Sequence, residues 1–244
     1  MALLEARGVS KWFGGLQANR NISLDVADGE ILGLIGPNGA GKTTFFNVVA
    51  GVFRPEAGLL RFQGQEIVGA SPHAVNRLGI ARTFQIPRPF ASMTVLDNVL
   101  VGAAARGRGG SAANAQARQL LEAVGLGERI HAPSSGLSTG QRKRLELARA
   151  LSTQPTLLLL DEVTGGVDQR SIPGLIQLVR EVRERGVTII LIEHNMRVMQ
   201  QLADRIVAFN LGEVIAVGSP AEVSRHPEVV RIYFGDSFIV DGVA

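Results

Sequence analysis

The 244-residue sequence predicts an α/β fold: a largely parallel sheet bearing a phosphate-binding loop, preceded by antiparallel strands and interrupted by a helical insertion. Three observations carry that expectation. The apolar run at residues 31–35 leads into GPNGAGKTT at 36–44 and then into FFNVVA, the strand, loop and helix order that phosphate binding requires. Continuous apolar runs at 157–160 and 187–192 have the length and two-sided character of strands buried in a parallel sheet. After Gln85 the composition changes: IPRPF at 86–90 is a stiff connector, and residues 91–135 are alanine-rich with helical spacing.

In chain order, residues 3–9 and 21–27 read as strands, the second alternating at Ile22, Leu24 and Val26, with Asp28-Gly29 turning into the next. KWFGG at 11–15 reads as a loop between them, whose aromatic either anchors the loop or offers a flat face to a purine base. In the loop formed by Gly36, Pro37, Asn38, Gly39, Ala40, Gly41, Lys42, Thr43 and Thr44, glycines let backbone N–H groups curl around phosphate oxygens. The helix N-terminus adds unpaired donors and partial positive charge. Lys42 would reach the β- and γ-phosphates, and the Thr43 hydroxyl would ligate Mg²⁺.

That helix ends near Gly51, a strand follows at 59–63, and Ser71-Pro72 caps a short helix stopping near Gly79. Residues 80–85 read as a strand ending in the amide of Gln85. The insertion has a flexible GRGG at 107–110 and a packing helix around 116–124 with Leu120, Leu121 and Val124 on one face. Ser138 and Gln141 make a capping box for a helix with an apolar stripe at Leu145, Ala148 and Leu151. The basic run 142–144 in its first turn opposes the helix dipole; a nearby anion would relieve that, and a solvated basic turn is the alternative.

Asp161 and Glu162 end the run at 157–160, on the edge where open α/β sheets bind ligands. Asp161 can hold Mg²⁺ through water, and Glu162 is placed to polarise an attacking water. A glycine-containing turn to Asp168 precedes an amphipathic helix at 171–185, and the strand at 187–192 ends at Glu193, His194 and Asn195. His194 can sense a γ-phosphate there or be structural. Residues 205–209 and 213–217 form a hairpin; Ser219 and Glu222 make a second capping box, and His226-Pro227 breaks that helix before a final helical turn.

At 45% hydrophobic the chain can bury the core of one large domain or of a core with an inserted subdomain. With no cysteine, disulfides and thiolate metal sites are excluded. The N-terminus lacks the pattern of a signal peptide and no apolar run is long enough to span a bilayer, so a soluble chain is expected. The net charge of +3 has no like-charged arm and aromatics are only 5%, which argues against a nucleic-acid partner.

The order of motifs resembles the ATP-binding subunit of an ABC transporter from about residue 3 to about residue 235. Beside the Walker A loop at 36–44 stand a Q-loop glutamine, Gln85, and a signature, LSTGQ, at 137–141. A Walker B segment, LLLLDE, occupies 157–162, followed by a D-loop aspartate, Asp168, and a switch histidine, His194. Phe13 falls at the adenine-stacking aromatic, with Trp12 the runner-up. The resemblance implies a RecA-like P-loop NTPase core with an N-terminal antiparallel β-subdomain, formed by 1–85 and 151–244, and an inserted helical subdomain, 86–150, with the signature motif.

It further implies two subunits joined head to tail, so that Ser138, Thr139, Gly140 and Gln141 of one close over the ATP of the other. Thr43, Gln85 and Asp161 would hold Mg²⁺, Glu162 would be the general base and His194 would stabilise or sense the γ-phosphate. GIARTFQ at 79–85, ASMTVLDNVLVGA at 91–103, LIEHNM at 191–196 and RHPEVVRIYFG at 225–235 resemble the ATPases of branched-chain amino-acid importers, especially the larger of that system's two. Urea and related amide importers use similar subunits. A lipopolysaccharide-export ATPase is also similar, but ARTFQ favours the importer. Soluble ABC-type ATPases carry a long coiled coil or two fused cassettes, and this sequence has neither.

The implied partners are membrane permease subunits, a second ATPase subunit and, indirectly, a periplasmic solute-binding protein, with the chain peripheral on the cytoplasmic face of the inner membrane. In that family the groove beside 86–90 receives a coupling helix of the permease. Three departures stand out: Thr139 within the signature, Val163 where proline follows the glutamate, and Gly-Gly-Val-Asp at 165–168. Losing the proline would loosen the loop that places Glu162.

Overall fold

The first two strands, β1 (Ala2–Phe13) and β2 (Leu16–Ala27), form a long antiparallel hairpin turned at Gly14 and Gly15. In the computed structural model residues 2–234 are described, and the chain divides into two compact units, Met1–Val75 with Thr188–Ala244, and Asn76–Val187. The loop expected at 11–15 is strand as far as Phe13. Cross-strand pairs continue through Lys11, Trp12 and Phe13, and the Trp12 N–H donates to Glu56 at 2.8 Å.

Strand β3 (Ile31–Ile35) is buried along its whole length. It delivers the chain to α1 (Lys42–Val49), which buries Phe45, Phe46, Val48 and Val49. Strands β4 (Ala57–Phe62) and β5 (Gln65–Glu66) complete a four-stranded antiparallel sheet in the order β2-β1-β4-β5. The helix α2 (Pro72–Leu78) follows.

In the second unit β6 (Ile80–Arg82) is shorter than the strand expected over 80–85. The Thr83 N–H still reaches the Leu159 carbonyl at 2.9 Å, but the Phe84 N–H turns to Glu146 at 3.2 Å. Helices α3 (Val95–Ala105) and α4 (Gly110–Ala123) follow. The latter begins six residues before its expected start at 116, and the GRGG segment is fastened, since Arg108 donates to Gln116 at 2.9 Å and to the Ser152 carbonyl. Leu120, Leu121 and Val124 are buried as their spacing requires.

Next comes α5 (Thr139–Leu151), with Gly102 of α3 against it: a Cβ there would lie 2.5 Å from the Arg149 carbonyl oxygen. Strand β7 (Leu157–Asp161), buried throughout, runs parallel to β6, and α6 (Ile172–Glu184) buries Leu175, Leu178, Val179 and Val182.

The chain then returns to the first unit through β8 (Thr188–Ile192), α7 (Met196–Leu202), β9 (Arg205–Asn210) and β10 (Glu213–Gly218). β3 lies between β8 and β9 and is parallel to both, while β10 pairs antiparallel with β9. Burial on both faces explains the unbroken apolar runs. Helices α8 (Pro220–Arg225) and α9 (Pro227–Phe234) close the described chain; α9 is an eight-residue helix where one turn was expected. No helix among the described residues is long and apolar enough to cross a membrane.

Candidate active site

Residues 36–41 form the loop between β3 and α1, residues 42–44 begin the helix, and two of the loop's glycines are dictated by the surrounding backbone. Gly36 has φ 145°, and a Cβ on it would stand 2.3 Å from the Phe209 carbonyl oxygen; Gly41 has φ 101°, with a Cβ 2.4 Å from that of Ala18. The loop is also braced from outside. Asn19, fully buried, donates to the Gly41 carbonyl at 3.0 Å. The Gly212 N–H, in the turn between β9 and β10, donates to the Ala40 carbonyl at 3.1 Å. The Gly36 N–H donates to the Tyr233 hydroxyl of α9 at 2.7 Å.

No side chain caps α1, and its first turn has no acidic residue. Its N-terminal donors and dipole therefore have no capping side chain and no acidic residue in the first turn to satisfy them, a feature shared with helix ends that bind phosphate. Lys42 is buried and its ammonium donates to the carbonyls of Gly36 at 2.6 Å and Pro37 at 2.9 Å. Asn38, Gly39 and Thr43 are exposed, and Pro37 and Thr44 are half-buried. Phe13, at the hairpin tip, is 42% exposed, meets Phe53 edge-on at 5.1 Å and carries the Lys11 ammonium over its ring at 5.2 Å. In the same unit, exposed His194 follows the end of β8, and the Asn195 side chain caps α7 by accepting from the Arg197 N–H at 3.0 Å.

In the other unit, Asp161 ends β7 with only 2% of its surface exposed. One carboxylate oxygen, Oδ2, accepts from Arg82 at 3.3 Å; the other, Oδ1, is buried with no hydrogen-bond partner. Burial pushes the Asp161 carboxyl above its usual range, against the opposing pull of Arg82. A lone pair left unsatisfied in this way is costly and suits a cation. Glu162, the next residue, adopts a left-handed backbone with φ 51°. Its carbonyl accepts from Lys143, and its Oε1 accepts from the Gln85 amide at 2.9 Å. Such strain in a non-glycine residue persists only where neighbours fix it, and the bonds that the Glu162 carbonyl accepts from Lys143 and from the Gly165 N–H at 3.2 Å are such restraints.

The basic run at 142–144 spends its side chains on backbone carbonyls, with Arg142 exposed and Lys143 buried within the fields of Glu146 and Asp161. Lys143 goes to the Glu162 carbonyl, Arg142 to that of Leu137 at 2.8 Å and Arg144 to that of Val124 at 3.0 Å. The capping box ahead of it forms as expected, Ser138 Oγ accepting from the Gln141 N–H and Gln141 Oε1 from the Ser138 N–H. Ser138 and Thr139 are exposed, and Gly140 is half-buried. Exposed Asp168 accepts from both the N–H and the hydroxyl of Ser171 at the start of α6, which holds its carboxyl below the usual range. The sequence assigns no role to Asn19, Tyr233 or Arg82, and it offers Lys143 only as part of the basic run at 142–144. Tyr233 lies in the tail RHPEVVRIYFG, which was noted only as a family feature.

The sequence profile described as ABC transporter matches residues 19–165, and that described as branched-chain amino acid ATP-binding cassette transporter matches residues 213–239. The high-affinity branched-chain amino acid transport ATP-binding protein LivG of Salmonella typhimurium is 38% identical, over 96% of this chain and 98% of its own. BraF of Pseudomonas aeruginosa, a protein of the same description, is 37% identical over the same shares. The lipopolysaccharide export system ATP-binding protein LptB of Acidithiobacillus ferridurans is 35% identical over 97% of this chain and 98% of its own. Among solved structures, a nucleotide-free ATP-binding cassette from an ABC transporter superposes with a TM-score of 0.90 at 30% identity, covering 97% of this chain and all of the other. The ADP conformation of an ATP-binding cassette of an ABC transporter gives 0.89 at 31% identity, also covering 97% of this chain and all of the other.

Proposed function

The chain belongs to the ATP-binding proteins of ABC transporters, within the branched-chain amino-acid group, and on that premise we propose that it is the energy-coupling ATPase of an importer of branched-chain amino acids or a related amide or amino-acid solute. The observation that carries importer over lipopolysaccharide exporter is the match of residues 213–239 to the branched-chain profile.

Phosphoryl transfer to water asks a protein for positioning and charge neutralisation more than for covalent chemistry. In the proposed mechanism Phe13 stacks on adenine. The N–H groups of residues 38–44 hold the phosphates. Lys42 exchanges its bonds to the Gly36 and Pro37 carbonyls for bonds to β- and γ-phosphate oxygens. Glu162 accepts a proton from the attacking water, and Gln85 orients that carboxylate through its existing 2.9 Å bond. His194 meets the γ-phosphate.

The donor set suits Mg²⁺: Thr43 offers an exposed hydroxyl, Asp161 the buried Oδ1 without a partner, and Gln85 an amide oxygen. Held by these residues, Mg²⁺ would supply neutralisation of phosphate charge. Ser138, Thr139, Gly140 and Gln141 act on the nucleotide of a second ATPase subunit, self or paralogue, with Asp168 beside them. Residues 86–150 form the helical subdomain, and 1–85 with 151–244 the core.

The membrane permease partner is proposed to dock beside residues 86–90. A groove of about 360 Å³ there is lined by Arg82, Phe84, Arg88, Phe90, Gly102 and Arg149. The Arg149 guanidinium covers the Phe90 ring at 5.5 Å, and the Phe90 backbone is clamped by Asn98 at 2.8 and 3.2 Å. A rigid aromatic floor with arginines around it suits an amphipathic helix end. The chain then sits peripherally on the cytoplasmic face of the inner membrane, and a periplasmic solute-binding protein feeds the permease. Cysteine crosslinkers at Arg88 or Phe90 are expected to capture the co-expressed permease. A functional, transporting complex that yields no such crosslink would count against this docking site.

A further inference from the structure

The phosphate loop has an anchor that the proposed mechanism does not use. The N–H of Gly36, its first residue, donates to the phenol oxygen of Tyr233 at 2.7 Å, bridging 197 positions of sequence. Gly36 is the point at which β3 opens into the loop, and the Phe209 carbonyl closes the space on its other side. Its carbonyl is one of the two that hold the Lys42 ammonium. One peptide group thus receives the phosphate-binding lysine on one side, while the N–H of the same residue is held by α9. Tyr233 is half-buried, and burial pushes its phenol above the ordinary value although the Gly36 bond pulls the other way, so the hydroxyl stays protonated at neutral pH.

We propose that Tyr233 is a positioning residue for nucleotide binding: through the Gly36 N–H it fixes the start of the phosphate loop, and so makes the loop's affinity for ATP depend on the docking of α9. The inference rests on the reading of residues 36–44 as the phosphate site. Without the hydroxyl, the Gly36 N–H has no acceptor in a half-closed space, and the loop samples conformations in which Lys42 is misaligned. Affinity for nucleotide then falls by the fraction of time the competent loop is absent. Nothing in the role touches the attacking water, so turnover at saturating ATP is spared.

Tyr233→Phe keeps the ring and removes only the hydroxyl. The full chain carrying it is expected to bind ATP roughly three- to tenfold more weakly, the range of one lost hydrogen bond, with kcat near wild type. Amide hydrogen exchange at Gly36 should quicken by a similar factor while exchange at Leu158 in β7 stays unchanged. Wild-type affinity together with wild-type Gly36 exchange would overturn the proposal. So would faster exchange at Gly36 with unchanged affinity, because the bond would then be structural only. Lys42→Ala in parallel separates the two ideas: if it also binds ATP normally, the phosphate-site reading itself fails; if it loses ATP while Tyr233→Phe does not, only the anchor fails.

Discussion

Glu162→Gln is expected to bind MgATP within about twofold of wild type and to turn it over at least about a hundredfold more slowly, as loss of a general base does. The amide is nearly the size of the carboxylate and can still meet Gln85, whose bond to Glu162 Oε1 spans 2.9 Å. What it lacks is an oxygen basic enough to take a proton from water. The left-handed backbone at Glu162 and the bond from Lys143 to its carbonyl persist in the variant, because neither involves the carboxylate. Equilibrium nucleotide binding and single-turnover hydrolysis check the two halves of this expectation separately. Wild-type turnover would remove Glu162 from the role of base.

The second large effect is on binding. Lys42→Ala is expected to weaken ATP affinity by roughly ten- to a hundredfold, the range for a lost charge-assisted pair of hydrogen bonds. Lys42 is buried, and its ammonium already rests on the carbonyls of Gly36 and Pro37, so it lies beside the loop before any phosphate arrives. Removing it also leaves those carbonyls short of a donor and relaxes the loop. Titration with a non-hydrolysed ATP analogue measures the loss. Full affinity in the variant would mean that residues 36–44 are not the phosphate site.

The parts of the fold legible in the sequence were those set by local chemistry. Both capping boxes, at Ser138 and Ser219, form with the partners their spacing named. The apolar runs became strands buried on both faces. What failed was decided by distant partners. Lys11, Trp12 and Phe13 look like loop beside two glycines, yet they stay in the ladder because Glu56 binds the Trp12 N–H and the Lys11 ammonium. Residues 83–85 look like a continuing strand, yet Phe84 and Gln85 leave it for Glu146 and Glu162.

The basic run at 142–144 offered an anion or solvent as partners; Arg142 is exposed and Lys143 acts on Glu146 and Asp161, and the backbone carbonyls that all three also reach could not be read from the sequence. Tyr233 could not be read at all. Its partner is a backbone N–H, which carries no side-chain signature, and it lies at the far end of the chain. The phosphate loop itself was legible because its chemistry is local. The brackets that hold it, Asn19, Gly212 and Tyr233, come from elsewhere in the chain.

The central claim is that this chain binds nucleotide with its own loop while its signature segment serves a second subunit. MgATP affinity of the isolated chain carrying Ser138→Arg tests it most directly. The account predicts wild-type affinity in the isolated chain, beside a loss of ATP hydrolysis once the transporter is assembled, since an arginine at the exposed cap blocks only the neighbour's nucleotide. A parallel fall in the isolated chain's own affinity would contradict it.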